Sequence, residues 1–329
     1  MSLYLKYRPH SFDTLVGQRH IVDVLLAQLQ SGKLNHNYLF YWPRGTGKTS
    51  TARLLTKAAN DPDFLTNPES EIAKLIDEGK TLDFVEIDAA SHTGVDNIRE
   101  EIIEKAWYAP STLTKKVYII DEVHMLSKGA FNALLKIMEE PPEYLMFVLA
   151  TTEIHKVPDT IISRCQVFNF RNHTIDDIVW YLEHISKKEG ISYEAEWLQM
   201  IAKLAQWGLR DAIKYLEQVS ILGEVTPDNV GKFLWVVSQQ VLEKIDTMTK
   251  NKNFDELTIT LSDLQQGGTD LMSLAKDMLL YFDTQFSTDP DWYSQMTTVR
   301  AELIREMKGS SMPLVMMKAK LWKVIWRED

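Results

Sequence analysis

The sequence predicts an α/β domain built on a parallel sheet, followed by all-α domains. Over the first half of the chain, short apolar runs alternate with amphipathic helical patterns, as in doubly wound folds. Beyond about residue 171 only helical patterns remain. Because 329 residues exceed what one ordinary core holds, we expect separate domains over 1–171, 172–225 and 226–329.

Five apolar runs are predicted to form the strands of the sheet. Continuous runs such as Val117-Tyr118-Ile119-Ile120 are typical of strands that are buried on both faces, which is the environment of a parallel sheet. The runs cover 38–42, 82–88, 117–121, 145–152 and 166–170.

Helical patterns occupy the segments between these runs. Gly32 is expected to end the first helix, Thr93 and Asp96 resemble a capping box before the third, and Pro141 cannot continue the fourth. The patterns cover 20–30, 49–60, 95–106 and 129–140.

The second half of the chain is predicted to be helical throughout. Thr174 and Gly190 bound one helix as N-cap and stop, and 192–223 contains two more. Thr226-Pro227 has the residue types that open a further helix. The remainder is divided at three breaks, namely Gly267-Gly268, Pro290 and Pro313.

The composition is that of an ordinary soluble protein, with 45% hydrophobic and 25% charged residues. There is no apolar run of membrane-spanning length and no signal-peptide core, so we expect a cytoplasmic protein without membrane contact. The single cysteine, Cys165, excludes an intrachain disulfide framework and a cysteine-cluster zinc site. Because the net charge is −10, any contact with nucleic acid is expected on a locally basic surface.

A glycine-rich loop lies between the first predicted strand and the next helix. "YWPRGTGKTS" matches the end of the phosphate-binding pattern G-x-x-x-x-G-K-[ST], but Trp42 occupies the position of the first glycine. Gly45 and Gly47 leave backbone N–H groups open to phosphate oxygens. Lys48 supplies a charge to the β and γ phosphates, and Thr49 offers a hydroxyl to Mg²⁺. A flexible turn containing GKT by chance is the alternative, which the strand–loop–helix context disfavours.

A second motif, "VYIIDEVHML", places two carboxylates directly after a buried strand. Asp121 is expected to hold Mg²⁺, often through water, and Glu122 to polarise the attacking water. Two buried carboxylates without such a role would cost several kcal/mol. Together the two motifs predict a P-loop ATPase or GTPase, and the absence of an N-K-x-D base reader disfavours the GTPase.

The finer motifs point to one family. They occur in the order "KYRPHSFDTLVGQ", "RGTGKTS", "EIDAASHTGVDNIRE", "DEVHMLSKGAFNALLKIMEEPP", "LATT", "ISRCQVF" and "GLRDA". This set resembles the gamma/tau subunit of bacterial DNA polymerase III, the AAA+ ATPase of the sliding-clamp loader. The resemblance is dense over 4–215 and continues more weakly to the end of the chain.

The resemblance implies an AAA+ fold, with a five-stranded parallel sheet flanked by helices on both faces, a small helical lid and a C-terminal helical collar. It implies ATP and Mg²⁺ as ligands, with Thr49 and Asp121 at the Mg²⁺ ion. Lys48, Asp121 and Glu122 have catalytic roles in this family. The residues implied at the nucleotide are Arg8, Val16, Gly17, Trp42, Pro43, Arg44, Gly45, Thr46, Gly47, Lys48, Thr49 and Ser50.

Three further residues match family positions that respond to the nucleotide. Thr152 matches sensor 1, which reads the γ-phosphate, and Arg210 matches sensor 2, a lid residue that couples binding to closure. Arg164, in the SRC motif, matches an arginine finger that reaches the γ-phosphate of a neighbouring subunit. Ordinary solvated or ion-paired arginines are the alternative interpretation for both arginines.

The resemblance also implies partners. These are other clamp-loader subunits, including several copies of the chain itself in a five-subunit spiral, the sliding clamp, and primer–template DNA. Helix N-termini would contact the DNA backbone without reading its base sequence. The candidate residues for this contact are Thr93, Asn97, Arg99 and Lys128, and a solvated helix face is the alternative for each.

Three features depart from the family pattern. The segment 61–79 lacks the four zinc-binding cysteines of bacterial members, so we expect no zinc. The sequence stops at the collar, which indicates a short, gamma-like form. Trp42 replaces a glycine; because the phosphate cradle depends mainly on 45–49, we expect it to alter affinity or gating without abolishing hydrolysis.

Other functions remain open at this point. A structural subunit resembling delta-prime would have this architecture with a broken P-loop, whereas Lys48-Thr49 and Asp121-Glu122 are intact here. Another AAA+ machine is the second alternative, either an unfoldase or a branch-migration helicase. An unfoldase would carry an aromatic pore loop where this chain has "TGVDNIRE". Replication factor C small subunits, which are related to this family, perform the same task.

Overall fold

A computed structural model of the protein describes residues 2–42, 44–91, 102–205, 207–221, 223–226, 239–266, 270–285, 289–307 and 313–325. The chain packs as two compact units, Met1–Glu217 and Gln218–Asp329. The predicted domain boundaries at 171 and 225 stay predictions. In the described part of the chain, no helix is long and apolar enough to cross a membrane.

The first unit is built on a five-stranded, wholly parallel sheet with the strand order β2-β3-β4-β1-β5. Each strand falls on one of the five predicted apolar runs. Strands β3 and β4 are almost entirely buried, as their continuous apolar sequences predict. Strands β1 to β5 span Asn37–Tyr41, Phe84–Asp88, Lys116–Asp121, Leu145–Thr151 and Gln166–Asn169.

The described part of the first unit also contains ten α-helices. The tenth begins in the first unit and ends beyond its last residue. Helices α1 to α10 span Leu3–Lys6, Arg19–Ser31, Lys48–Asn60, Glu71–Asp77, Glu104–Ala106, Lys128–Glu139, Asp159–Ile162, Ile175–Glu189, Ala195–Leu204 and Leu209–Ile221.

The helix ends follow the predicted capping chemistry. Helix α2 ends at Gly32 with φ of 66°, and α8 ends at Gly190 with φ of 68°. The Thr174 side chain caps α8 in a capping box with Asp177. The other predicted capping box, at Thr93, lies outside the described residues.

Two apolar layers sandwich the sheet, so helices cover both faces as predicted. Leu39 points to the layer formed with α6 and α7, while Tyr38 and Phe40 point to the layer formed with α2, α3 and α4. This alternation follows from the two-residue period of a strand. Each fully buried side chain of this size contributes about 1.5–3 kcal/mol.

The described part of the second unit is helical, as predicted for the C-terminal segment. Its core consists mainly of leucine and methionine side chains, including Met317, together with Ile245, Ala275 and Tyr293. Asp246 is buried in it and accepts hydrogen bonds from Trp292 Nε1 at 3.1 Å and Tyr293 Oη at 2.9 Å. Helices α11 to α15 span Gln239–Lys250, Phe254–Gln266, Leu271–Gln285, Pro290–Met307 and Pro313–Ile325.

Asp83 fixes the start of the β2–β3 pair. Its Oδ2 accepts backbone N–H bonds from Ser111, Thr112 and Leu113 at 2.8, 2.6 and 3.0 Å, and its carbonyl accepts from Val117 N at 2.8 Å. Burial raises the pKa of this carboxyl, but the hydrogen bonds outweigh that effect and hold its pKa below 3.8. Asp83 therefore stabilises the fold as a carboxylate.

Replacing the Asp83 carboxylate with an amide is expected to destabilise the first unit. Asp83→Asn should lower the free energy of unfolding by about 1–3 kcal/mol at pH 7, because the N–H donors lose a charged acceptor. Because the pKa of Asp83 is lower in the folded chain than its ordinary value of 3.8, the carboxylate stabilises the fold at pH values above 3.8. This stabilisation is lost as the pH falls through the folded pKa. The difference from the parent should therefore shrink in acid.

Urea unfolding of the full chain, at pH 7 and in acid below pH 3.8, measures this effect. Asp23→Asn, on the exposed face of α2, is the matched control. If Asp83→Asn is as stable as Asp23→Asn at pH 7, the assigned role of Asp83 is wrong.

Candidate active site

A cleft of about 530 Å³ opens in the first unit, beyond the carboxyl ends of the strands. It is lined by the N-terminal segment, residues 44–50, the ends of β2 and β3, and the start of α10. The predicted residues that line it are Arg8, Val16, Arg44, Gly45, Thr46, Gly47, Lys48, Thr49, Ser50, Asp121, Glu122 and Arg210.

The phosphate-binding loop connects β1 to α3, in the predicted strand–loop–helix context. Gly45 and Gly47 have φ angles of 82° and 95°, in the left-handed region that favours glycine. Gly47 directly precedes α3, so the loop opens at a helix N-terminus. Pro43 lies outside the described residues.

Lys48 is buried at the first position of α3. Its Nζ donates a hydrogen bond to the Trp42 carbonyl at 2.6 Å. Burial lowers the pKa of Lys48, and the carboxylates of Asp121 and Glu122 act in the opposite direction. The ammonium group therefore lies in a confined space that favours an added negative charge.

Asp121 joins the strand end to the loop. Its Oδ2 accepts the Thr49 hydroxyl at 2.7 Å, and its Oδ1 accepts the Glu122 backbone N–H at 2.9 Å. The two predicted Mg²⁺ residues thus have their oxygen atoms in direct contact. Oxygen ligands of this kind suit Mg²⁺.

Glu122 is held toward the end of β4. Its Oε2 accepts from Thr152 Oγ1 at 3.0 Å and from Thr152 N at 3.3 Å. Thr152 therefore lies beside Glu122. It is not among the residues that line the cleft. Glu122 has φ of 47°, an unusual backbone conformation for a non-glycine residue.

Two histidines in this region were not predicted as site residues. His124 Nδ1 lies 2.9 Å from Thr151 Oγ1 and 3.4 Å from Glu122 Oε2. His173 lines the cleft with its ring buried, and neither ring nitrogen has a hydrogen-bond partner among the described residues. Burial lowers the pKa of His173, which Asp177 only partly opposes. His124 could have been found from the sequence, because it belongs to the "DEVH" motif. His173 belongs to no motif, so nothing in the sequence indicated it.

Of the three N-terminal residues implied at the nucleotide, Arg8 and Val16 line the cleft. Burial lowers the pKa of Arg8, and the charge of Arg53 adds to that effect. Gly17 is outside the cleft lining and lines a neighbouring cleft. An added Cβ at Gly17 would lie 3.3 Å from His173 Nδ1, so Gly17 packs directly against that ring.

The lid side of the cleft is formed by the start of α10. Arg210 is exposed, and its guanidinium lies 4.9 Å from the centre of the Tyr4 ring. Gly208 packs against the phosphate-binding loop, since a Cβ added to Gly45 would lie 3.1 Å from Gly208 Cα. The backbones of loop and lid therefore approach each other more closely than side chains would allow.

Two other predicted residues, Arg164 and Lys128, are not among the residues that line the cleft. Arg164 donates Nη1 to Thr160 O at 2.7 Å, and its Nη2 pairs with Glu139. Beside it, burial raises the pKa of Cys165 to about 12. Lys128 is exposed at the start of α6. Thr93, Asn97 and Arg99 lie outside the described residues.

Two protein-family models match the chain. The model described as "DNA polymerase III, delta subunit" matches residues 17–174. The model described as "DNA polymerase III clamp loader subunit, ATPase lid domain" matches residues 177–224.

Curated relatives match over most of the chain. DNA polymerase III subunit tau of Bacillus subtilis is 46% identical over 286 residues, which cover 85% of this chain and 51% of that protein. DNA polymerase III subunit gamma of Buchnera aphidicola subsp. Acyrthosiphon pisum is 37% identical over 281 residues, which cover 84% of this chain and 78% of that protein. The chain thus spans about half the length of the Bacillus subtilis tau subunit.

Solved structures support the fold. The Thermotoga maritima RuvB Holliday junction branch migration motor matches with a TM-score of 0.52 and 18% identity, covering 78% of this chain and 85% of that one. This likeness concerns the fold alone. With the parallel sheet and the matched lid domain, it confirms the predicted AAA+ fold.

The contact between Gly45 and Gly208 gives a stability prediction. Gly45→Ala and Gly79→Ala both force alanine into a left-handed conformation, at about 1–2 kcal/mol each. Gly79 has no atom within 4 Å of an added Cβ, whereas Gly45 faces Gly208. Gly45→Ala should therefore lower the free energy of unfolding more than Gly79→Ala does, as measured by urea unfolding of the full chain. Equal losses would show that the lid backbone is not in contact with the loop.

Proposed function

This chain belongs to the DNA polymerase III gamma/tau family of clamp-loader subunits, and we propose that it is the ATPase motor of a sliding-clamp loader. In this function it binds and hydrolyses ATP at subunit interfaces, and hydrolysis accompanies loading of the clamp on primer–template DNA. The 2.7 Å hydrogen bond between Thr49 and Asp121 carries the proposal. It joins the phosphate loop to the acidic strand end, the two halves of a P-loop nucleotide site.

The site fits a Mg²⁺–ATP complex. Thr49 Oγ1 and Asp121 Oδ2 would hold the ion, directly or through water, because hard cations prefer oxygen ligands. The bound ion would neutralise charge on the β and γ phosphates. Lys48 adds its positive charge on the same side, and the N–H groups of the glycine loop and of the first turn of α3 bind phosphate oxygens.

Glu122 is the proposed general base, which orients and polarises the attacking water. Its carboxylate accepts hydrogen bonds from both donors of Thr152. A γ-phosphate oxygen would compete for the Thr152 hydroxyl, which is the role expected of sensor 1. The contact thus supports a site in which phosphate binding frees Glu122 to act.

Two arginines complete the proposed mechanism. Arg210 lines the chain's own cleft from the lid, where it would respond to bound nucleotide. Arg164 lies outside that cleft, and its side chain is about one-third exposed. A surface position of this kind suits a finger that acts on the nucleotide of a neighbouring subunit, which makes hydrolysis depend on assembly.

The partners follow from the same family. We propose other clamp-loader subunits, further copies of this chain, the clamp and primer–template DNA. Lys128, exposed at the start of α6, is available to a DNA phosphate. Thr93, Asn97 and Arg99 remain proposed DNA contacts on sequence grounds.

ATP turnover by the assembled loader is the direct test. We expect primed DNA and clamp together to stimulate turnover strongly. Lys48→Ala should weaken ATP binding by the isolated full chain about 10- to 100-fold, as loss of a charge-assisted hydrogen bond predicts, with Lys33→Ala, an exposed lysine, as control. A parent chain that binds ATP no better than Lys48→Ala would refute the proposed function.

The variant Arg164→Ala distinguishes ATP binding by the isolated chain from ATP hydrolysis by the assembled loader. The isolated variant should bind ATP like the parent, since Arg164 does not line its own cleft. In the loader with DNA and clamp, its turnover should fall by about 10³-fold or more, the loss typical of an arginine finger. Lys187→Ala, which removes another ion-paired surface cation, is the control. Parent-like turnover by assembled Arg164→Ala would exclude the role in trans.

A further inference from the structure

Trp42 holds an unusual backbone conformation at the end of β1. Its φ of 145° lies in a region that residues with a side chain rarely adopt, and the motif has glycine at this position. The Trp42 N–H donates to the Thr151 carbonyl at 3.2 Å, which continues the pairing of β1 with β4. A strained residue of this kind persists only when its surroundings hold it from several sides.

One of these contacts leads into the phosphate site. The Trp42 carbonyl accepts the Lys48 Nζ at 2.6 Å. Lys48 is the residue whose charge would meet the phosphates of a nucleotide. A bound phosphate therefore competes for, or reorients, the group that bonds to Trp42.

A second contact leads to the connection between sheet and lid. The Trp42 indole Nε1–H donates to Asn172 Oδ1 at 3.2 Å. Asn172 lies between the end of β5 and the first residue of α8. Immediately before it, Arg171 is bonded to Gln18 through its N–H at 2.9 Å and its carbonyl at 2.6 Å. Asn172 thus lies between the Arg171 backbone, which is bonded to Gln18, and the start of α8.

We propose that Trp42 is a positioning residue that couples the phosphate site to the lid, through its carbonyl to Lys48 and its indole N–H to Asn172. The inference rests on the proposed nucleotide binding and goes beyond it. When a phosphate binds the Lys48 ammonium, the hydrogen bond from Lys48 to the Trp42 carbonyl is weakened. The Trp42 residue can then shift, and its indole hydrogen bond to Asn172 transmits the shift to the start of α8. A glycine at this position makes no such side-chain contact.

Hydrogen–deuterium exchange of the full chain, with and without saturating non-hydrolysable ATP analogue, tests the coupling. The readout is the nucleotide-induced protection of the first turn of α8, at residues 175–178. Trp42→Phe keeps an aromatic ring but has no N–H donor, and Asn172→Leu removes the acceptor. Each should reduce that protection by about 2- to 10-fold, the range for one hydrogen bond.

Two further variants distinguish coupling from general damage. Asn172→Asp keeps an acceptor for the indole N–H and should retain the parent's protection. Trp107→Phe, at another exposed tryptophan, should also behave as the parent does. Saturating nucleotide removes any effect of altered affinity, and Asn172→Leu carries the test if Trp42→Phe does not fold.

The outcomes separate this inference from the proposed function. Nucleotide binding by calorimetry, with parent-sized protection in both Trp42→Phe and Asn172→Leu, would overturn the coupling alone. Equal loss of protection in Asn172→Asp and Asn172→Leu would also overturn it. A parent chain that binds no ATP analogue would overturn the proposed function and the coupling together.

Discussion

The parallel alignment of β3, β4 and β1 is the constraint on which the site depends. The register pairs Tyr41 with Thr151 and Ile120 with Leu149, so three strands end at the same edge of the sheet. The phosphate loop, the two carboxylates and Thr152 follow these ends directly. Because the strands are buried on both faces, a one-residue change of register would exchange the side chains that pack in the two apolar layers and disrupt both. The hydrophobic core thereby determines the geometry of a polar site.

Two residues that directly follow these strands have strained backbone conformations. Trp42 follows β1 and Glu122 follows β3, and both have positive φ angles. Each such residue costs about 1–3 kcal/mol unless the surroundings compensate. Around Glu122 the compensation comes from Asp121 Oδ1 and Thr152, and around Trp42 from Thr151 O and Asn172. Binding groups are thus held in place before a ligand arrives, which favours electrostatic preorganisation.

Sequence periodicity was sufficient to predict the sheet, because its strands are continuous apolar runs and its helices have clear caps. The two sequence motifs predicted Thr49 and Asp121 at one Mg²⁺ ion, and the structure brings their oxygen atoms together. The contact of Trp42 with Asn172 could not be predicted from the sequence, because the two residues are 130 positions apart and no local pattern pairs them. The same holds for Gln18 with Arg171, 153 residues apart. His173 carried no motif, and its place at the cleft follows from tertiary packing, including the contact of its ring with Gly17.

The pairing of Arg164 with Glu139 bears on how assembly would activate hydrolysis. Both side chains are partly exposed, at 32% and 50%, so the pair contributes only about 0–1 kcal/mol. A finger that accelerates hydrolysis by about 10³-fold stabilises the transition state by about 4 kcal/mol. In the proposed mechanism, moving Arg164 from Glu139 to a neighbour's phosphate would therefore be favourable once a neighbour is present. A buried pair would resist this exchange, because breaking it leaves an uncompensated charge at a cost of about 3–5 kcal/mol. Under this proposal, the weak surface pair would hold the arginine in the isolated chain and release it at little cost when the subunits meet.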